Sequence, residues 1–95
     1  MYAQVLVSYD ISDTKNRNKL FEDLKDLGLR PIQKSVFWGY LLVHEKRIIK
    51  KLFRHYCDKD CDRAFIINAT LDKDMSDSFG YDSEDFKHPN SFKII

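Results

Sequence analysis

Ninety-five residues, 43% hydrophobic and 33% charged with three glycines and two prolines, fit one folded domain and exclude a low-complexity chain. No apolar run approaches the ~20 residues of a membrane helix, and MYAQVLVSYD lacks the basic-then-apolar pattern of a leader, so a cytoplasmic protein is expected. The net charge of +1 hides a division: residues 1–56 hold eleven Lys or Arg against six Asp or Glu, residues 57–95 five against nine.

In chain order, residues 3–9, AQVLVSY, form a short apolar run that stops at Asp10 and predict a central strand. DISDTKN follows, with Ser12, Asp13 and Thr14 as helix-capping candidates. Leu20, Phe21, Leu24 and Leu27 recur at helical spacing until Gly28 ends the helix. Beyond Pro31, residues 32–43 are dominated by Ile, Val, Phe, Trp, Tyr and Leu and read as extended. Twelve such residues exceed a usual strand, so a reversal or bulge is expected between Lys34 and Gly39. A second helix is predicted over 45–56, with Ile48, Ile49, Leu52, Phe53 and Tyr56 on its apolar side. AFIINA, 64–69, reads as a fourth strand.

This order predicts an α+β, ferredoxin-like βαββαβ sandwich: an antiparallel sheet with two helices on one face. A chain this short buries only about 60–65% of its extended surface, and the other sheet face has no clean polar character. A homodimer packed sheet to sheet would bury the excess. Residues 1–95 are taken as one domain, in which 70–91 is a long acidic loop or tail and 92–95 a terminal strand. That terminal strand either extends a neighbour's sheet edge or frays. Cys57 and Cys61, in YCDKDCD, match no usual zinc spacing even with His55 nearby, and are expected as reduced thiols.

A carboxylate where a strand gives way to a helix is a frequent binding group, and Asp10 suits a turn or cap equally well. One aspartate does not complete a magnesium site, which takes six oxygens, usually from one or two carboxylates, water and phosphate. Two copies of Asp10 across a dimer axis would supply the pair, and the chemistry permitted is metal-assisted attack of water on a phosphodiester. Arg17 offers a planar fork to phosphate, while Tyr9, Ser8 and Ser35 offer hydroxyls. No histidine is placed as a base. The positive charge has a second use: Lys15, Arg17 and Lys19 begin helix one, and Lys46, Arg47, Lys50, Lys51 and Arg54 line helix two. These residues either contact phosphates, giving salt-sensitive attachment without base reading, or form a solvated face around an apolar stripe.

Residues 9–39, YDISDTKNRNKLFEDLKDLGLRPIQKSVFWG, resemble the signature of a CRISPR-associated family, the small dimeric adaptation protein that partners the CRISPR integrase. The likeness joins a strand ending in Tyr9-Asp10, Arg17 in helix one, a Leu-Gly helix exit, and Gln33 followed by Ser35-Val36-Phe37. It implies a ferredoxin-like dimer joined through its sheets, with the C-terminal strand commonly added to the partner's sheet. It implies Asp10 from each subunit around a magnesium, or manganese, ion. With the residue reading, the expected catalytic set is Asp10, Tyr9, Arg17, Ser35 and Phe37.

The activity so implied is that of a metal-dependent endonuclease, an endoribonuclease or a double-stranded deoxyribonuclease. The implied partners are a second copy, the CRISPR integrase subunit, double-stranded DNA and single-stranded RNA, with no membrane. One alternative is the same dimer acting only as a DNA bridge. A more distant one is a small RNA-binding or regulatory module, against which AQVLVSY and AFIINAT lack the aromatic–basic pattern of RNA-recognition strands. Two positions depart from the resemblance. Lys19 stands where a second arginine is frequent, keeping the charge without the fork, and Trp38 stands where glutamate is common.

Overall fold

The computed structural model describes residues 1–71 and 77–81. Strand β1 spans Ala3–Asp10, and its period-two pattern buries Val5, Val7 and Tyr9 while Leu6 and Ser8 face the other way. Helix α1, Thr14–Asp26, starts where the Asp13 carboxylate accepts the Asn16 N–H at 2.8 Å. Leu20 and Leu24 are its buried residues. The helix ends in a left-handed turn at Gly28, φ +95°, with Gly28 N–H donating to the Lys25 carbonyl and Leu29 N–H to the Leu24 carbonyl. Any side chain at Gly28 would carry the backbone strain of that conformation.

The long apolar run after Pro31 resolves into β2, Arg30–Gln33, and β3, Val36–Leu41. The expected reversal is the Lys34–Ser35 turn, with Ser35 at φ +65° and a register irregularity just before it. Gly39 is required here for a different reason. A Cβ on it would lie 2.7 Å from Leu29 Cδ2 and 3.3 Å from Leu29 Cα, because β3 passes directly beneath the exit of α1.

Helix α2, Val43–Tyr56, begins two residues before the expected start. Glu45 belongs to its first turn and accepts the Leu42 N–H at 2.7 Å. Strand β4, Arg63–Asn68, is likewise offset by one residue from the expected 64–69. The four strands lie in the order β2-β3-β1-β4, all neighbours antiparallel, with β1 and β3 central. This is the expected ferredoxin-like arrangement.

Both helices cover one face. Val5, Val7, Tyr9, Leu20, Leu24, Phe37, Leu41 and Ile49 form the core between layers, with Phe21, Leu52, Phe53 and Ile66 packed against it. Ile48, expected on the apolar side of α2, is instead exposed, while Ile49 takes the buried position. The Tyr56 hydroxyl donates to Asp23 at 2.7 Å and ties the two helices together. On the opposite face, cross-strand pairing aligns Leu6 with Trp38 and Ile67, and Ser8 with Val36 and Phe65. Trp38 is only 1% exposed, whereas Phe65 and Ile67 remain 48% and 49% exposed. The Tyr81 hydroxyl donates to the Ile32 carbonyl at 2.6 Å, bringing the chain back to β2. The expected terminal strand at 92–95 lies outside the described residues, as does most of 70–91. Among the described residues, no helix is long and apolar enough to cross a membrane.

Candidate functional site

The last residues of β1 point to alternate faces, so Tyr9 and Asp10 part company. Tyr9 turns towards the helices, and the Ser35 side chain and Arg17 lie close enough to influence its hydroxyl. Burial pushes the Tyr9 hydroxyl above its usual pKa, against the lowering influence of Arg17 and of Ser35. Tyr9 is therefore a neutral phenol at physiological pH, able to orient a group but not to act as a base. The Lys34–Ser35 reversal makes this arrangement, and the Tyr9 N–H donates to the Ser35 carbonyl at 3.2 Å.

Arg17 is anchored locally. Its Nη1 donates to the Ile11 carbonyl at 2.9 Å and its Nη2 to Thr14 Oγ1 at 3.2 Å, bracing the turn that leaves Asp10. Phe37 requires a correction. It is fully buried, opposite Val7 in the sheet and edge-on to Phe21 at 5.1 Å between ring centroids, so it cannot touch a substrate. Its place is in the core beneath Tyr9, whose ring is 6.3 Å away. The structure thus gathers Tyr9, Arg17 and Ser35, and assigns Phe37 to their support.

Asp10 is exposed and faces the open side, directly opposite Arg63 at the start of β4. Fifty-three positions separate these two residues in the chain, and only the β1–β4 register makes them neighbours. No periodicity or motif signals Arg63. The junction around it is tightly tied. Asp62 accepts the Ser12 N–H at 2.9 Å and the Asp58 N–H at 2.8 Å. These bonds, first Asp58 and then Ser12, hold its carboxyl below the usual carboxylate range. Cys57 and Cys61 in the same loop are free thiols, and burial followed by the Asp62 charge pushes the Cys57 thiol up.

Among the described residues, no group of three or more His, Cys, Asp or Glu side chains is gathered as a metal cage. Asp10 fits a hard cation only as a half-site: one accessible carboxylate with open space for a second carboxylate, water and phosphate oxygens.

The basic residues fall elsewhere. Lys15 and Lys19 are exposed on α1 and border an open depression of about 540 Å³ shared with Asn18, Glu22, Asp23 and Tyr56. Arg47, Lys50, Lys51 and Arg54 are exposed on α2. Lys46 is half-buried and donates to Asn68 Oδ1 at 3.0 Å, so part of its role is to fasten α2 to β4. This cationic face belongs to the helical layer and Asp10 to the opposite side of the sheet; one chain does not bring them together.

Comparison with known proteins adds relatives to this geometry. Residues 1–76 match the family model of the CRISPR associated protein Cas2. A CRISPR-associated endoribonuclease Cas2 of Francisella tularensis subsp. novicida is 40% identical over 85 residues, covering 88% of this chain and 87% of that protein. One from Desulforudis audaxviator is 34% identical over 90 residues, covering 79% and 85% respectively. Among solved structures, a hypothetical protein of Thermus thermophilus superposes with a TM-score of 0.67 at 30% identity, covering 74% of this chain and 84% of its own. The Cas2 of Streptococcus pyogenes superposes at 0.63 with 24% identity, covering 70% and 86%, and shares the fold.

Proposed function

The chain belongs to the CRISPR-associated protein Cas2 family, and from that premise we propose that it is a homodimeric, magnesium-dependent endoribonuclease whose site forms where two Asp10 carboxylates meet. The observation that carries this reading is the position of Asp10. It ends the central strand, accessible, on the sheet face that also leaves Phe65 and Ile67 half exposed. A second copy laid on that face covers the apolar side chains and adds a second carboxylate. Two carboxylates with water and phosphate oxygens make an all-oxygen donor set, which suits magnesium, or manganese, rather than a thiol- or imidazole-seeking metal.

Bound magnesium would supply Lewis-acid polarisation of a phosphodiester. This chain's residues do the positioning. Asp10 would hold the ion. Arg17 fixes the turn after Asp10 through the Ile11 carbonyl, which limits how far the carboxylate can swing. Tyr9, kept neutral by burial and tied to Ser35 through its backbone N–H, seats the strand end against the helices. With their sheets together, two protomers present Lys15, Lys19, Arg47, Lys50, Lys51 and Arg54 outwards, where they suit the sugar–phosphate backbone of double-stranded DNA and a scaffold role beside the CRISPR integrase.

Asp10→Ala is expected to lower magnesium-dependent cleavage of single-stranded RNA at least ~100-fold with the dimer intact by light scattering. Wild-type cleavage by that variant would remove Asp10 from the site. A protein that stays a single subunit at micromolar concentration would remove the shared site altogether.

A further inference from the structure

Asp10 and Arg63 form the last rung of the β1–β4 ladder. Directly opposed residues of an antiparallel pair share one face, with Cβ atoms ~4.5–5.5 Å apart. Here that face is the one the helices leave open, and both side chains are exposed. Among the described residues, neither side chain is engaged in a hydrogen bond or ion pair. Arg17 offers a contrast. Its fork is turned to the Ile11 carbonyl and Thr14, on the side of Tyr9. Arg30, opposite Trp38, also lies on the Asp10 face, but Arg63 is the arginine directly opposed to Asp10.

We infer that Arg63 is the phosphate anchor of the Asp10 site, its guanidinium binding backbone phosphate oxygens of single-stranded RNA beside the carboxylate. This rests on the reading of Asp10 as one half of a shared ion site. Charge balance favours an anchor. Two carboxylates and one divalent cation sum to zero, so beyond direct coordination to the ion they give an anionic backbone little attraction; without the cation they repel it. One Arg63 from each protomer leaves the assembled site with two positive charges, delivered by planar forks that match phosphate geometry. The backbone leading into Arg63 is also held in place. Asp62 accepts the Ser12 N–H, so the start of β4 is joined to the chain two residues beyond Asp10.

The test is binding of a labelled single-stranded RNA to the full chain in EDTA across a salt titration, followed by cleavage kinetics in magnesium. Arg63→Ala is expected to weaken metal-free binding roughly tenfold at low salt and to reduce the salt slope by about 0.7 for each phosphate no longer neutralised. In magnesium it should raise KM more than it lowers kcat. Arg63→Lys should recover the salt slope but only part of the affinity, since it lacks the fork. Wild-type affinity and slope in Arg63→Ala overturn the assignment; if the alanine variant fails to fold, the same result in Arg63→Gln overturns it. Asp10→Asn keeps the two readings apart. It should abolish cleavage while leaving metal-free binding equal or tighter, because it removes a negative charge. If Asp10→Asn cleaves normally the nuclease reading falls, and the Arg63 binding result is still decided by its own salt slope.

Discussion

Phe37 and Phe65 sit on strands that flank β1 on either side, yet one is fully buried against the helices and the other is half exposed on the open face. The first touches Tyr9 and Phe21 and belongs to the fold of a single chain. The second has Ser8 as its cross-strand neighbour and would be covered by a second copy in the proposed dimer. On the proposed reading the two faces of this sheet serve different bodies: the helical face stabilises the protomer, and the open face, which carries Asp10, Arg63 and exposed apolar side chains, would meet a second copy. Under that proposal, chemistry placed on the second face depends on association, while chemistry placed on the first does not.

Phe37→Ala should be the most damaging change to the protomer, costing about 3–5 kcal/mol from lost transfer energy and the cavity left behind. A denaturant midpoint unchanged from wild type would show that Phe37 is not core. Phe65→Ser, by contrast, should leave the unfolding of an isolated chain within about 1 kcal/mol while raising the dimer dissociation constant at least ~10-fold, read by sedimentation. Equal loss in both measurements would erase the distinction between faces.

A smaller effect belongs to the junction that feeds both. Asp13→Ala removes the acceptor of the Asn16 N–H and should cost about 1 kcal/mol by thermal melting. The smallest is a pH effect. Folding favours the charged form of Asp62, because the Asp58 and Ser12 N–H groups hold its pKa below the usual value. Its contribution is present above the unfolded value of about 3.9 and is lost as pH falls through the lower folded one. The melting-temperature gap between wild type and Asp62→Asn should therefore be constant near neutrality and narrow only below about pH 4. A gap that closes between pH 5 and 7 would point to another group.

Much of the helical face is legible in the chain. Val5, Val7 and Tyr9 alternate, Leu20 and Leu24 repeat at helical spacing, and Gly28 marks an exit that only a left-handed residue makes comfortably. The reversal at Lys34–Ser35 is bracketed by the sequence but not located, since Ser35 adopts a positive φ without the glycine or asparagine that usually announces one. Helix α2 begins early because Glu45 bonds back to Leu42, an exchange that apolar periodicity does not report. For the site, residue type and resemblance point to Tyr9, Arg17 and Ser35, and the fold does gather them. Phe37 joins that expected set through the resemblance, as part of the Ser35-Val36-Phe37 element, and the facing direction of β3 removes it.

Local order therefore determined a great deal by itself: six elements, their sequence along the chain, the apolar stripes and the strand end that carries Asp10. Those properties follow from interactions between residues a few positions apart. Tertiary structure alone decided that Arg63 stands beside Asp10, that Phe37 turns inward and that the cationic helices lie on the far side of the sheet. Register and facing direction are set by which distant strands bury which side chains, and a one-residue slip would reverse every such assignment.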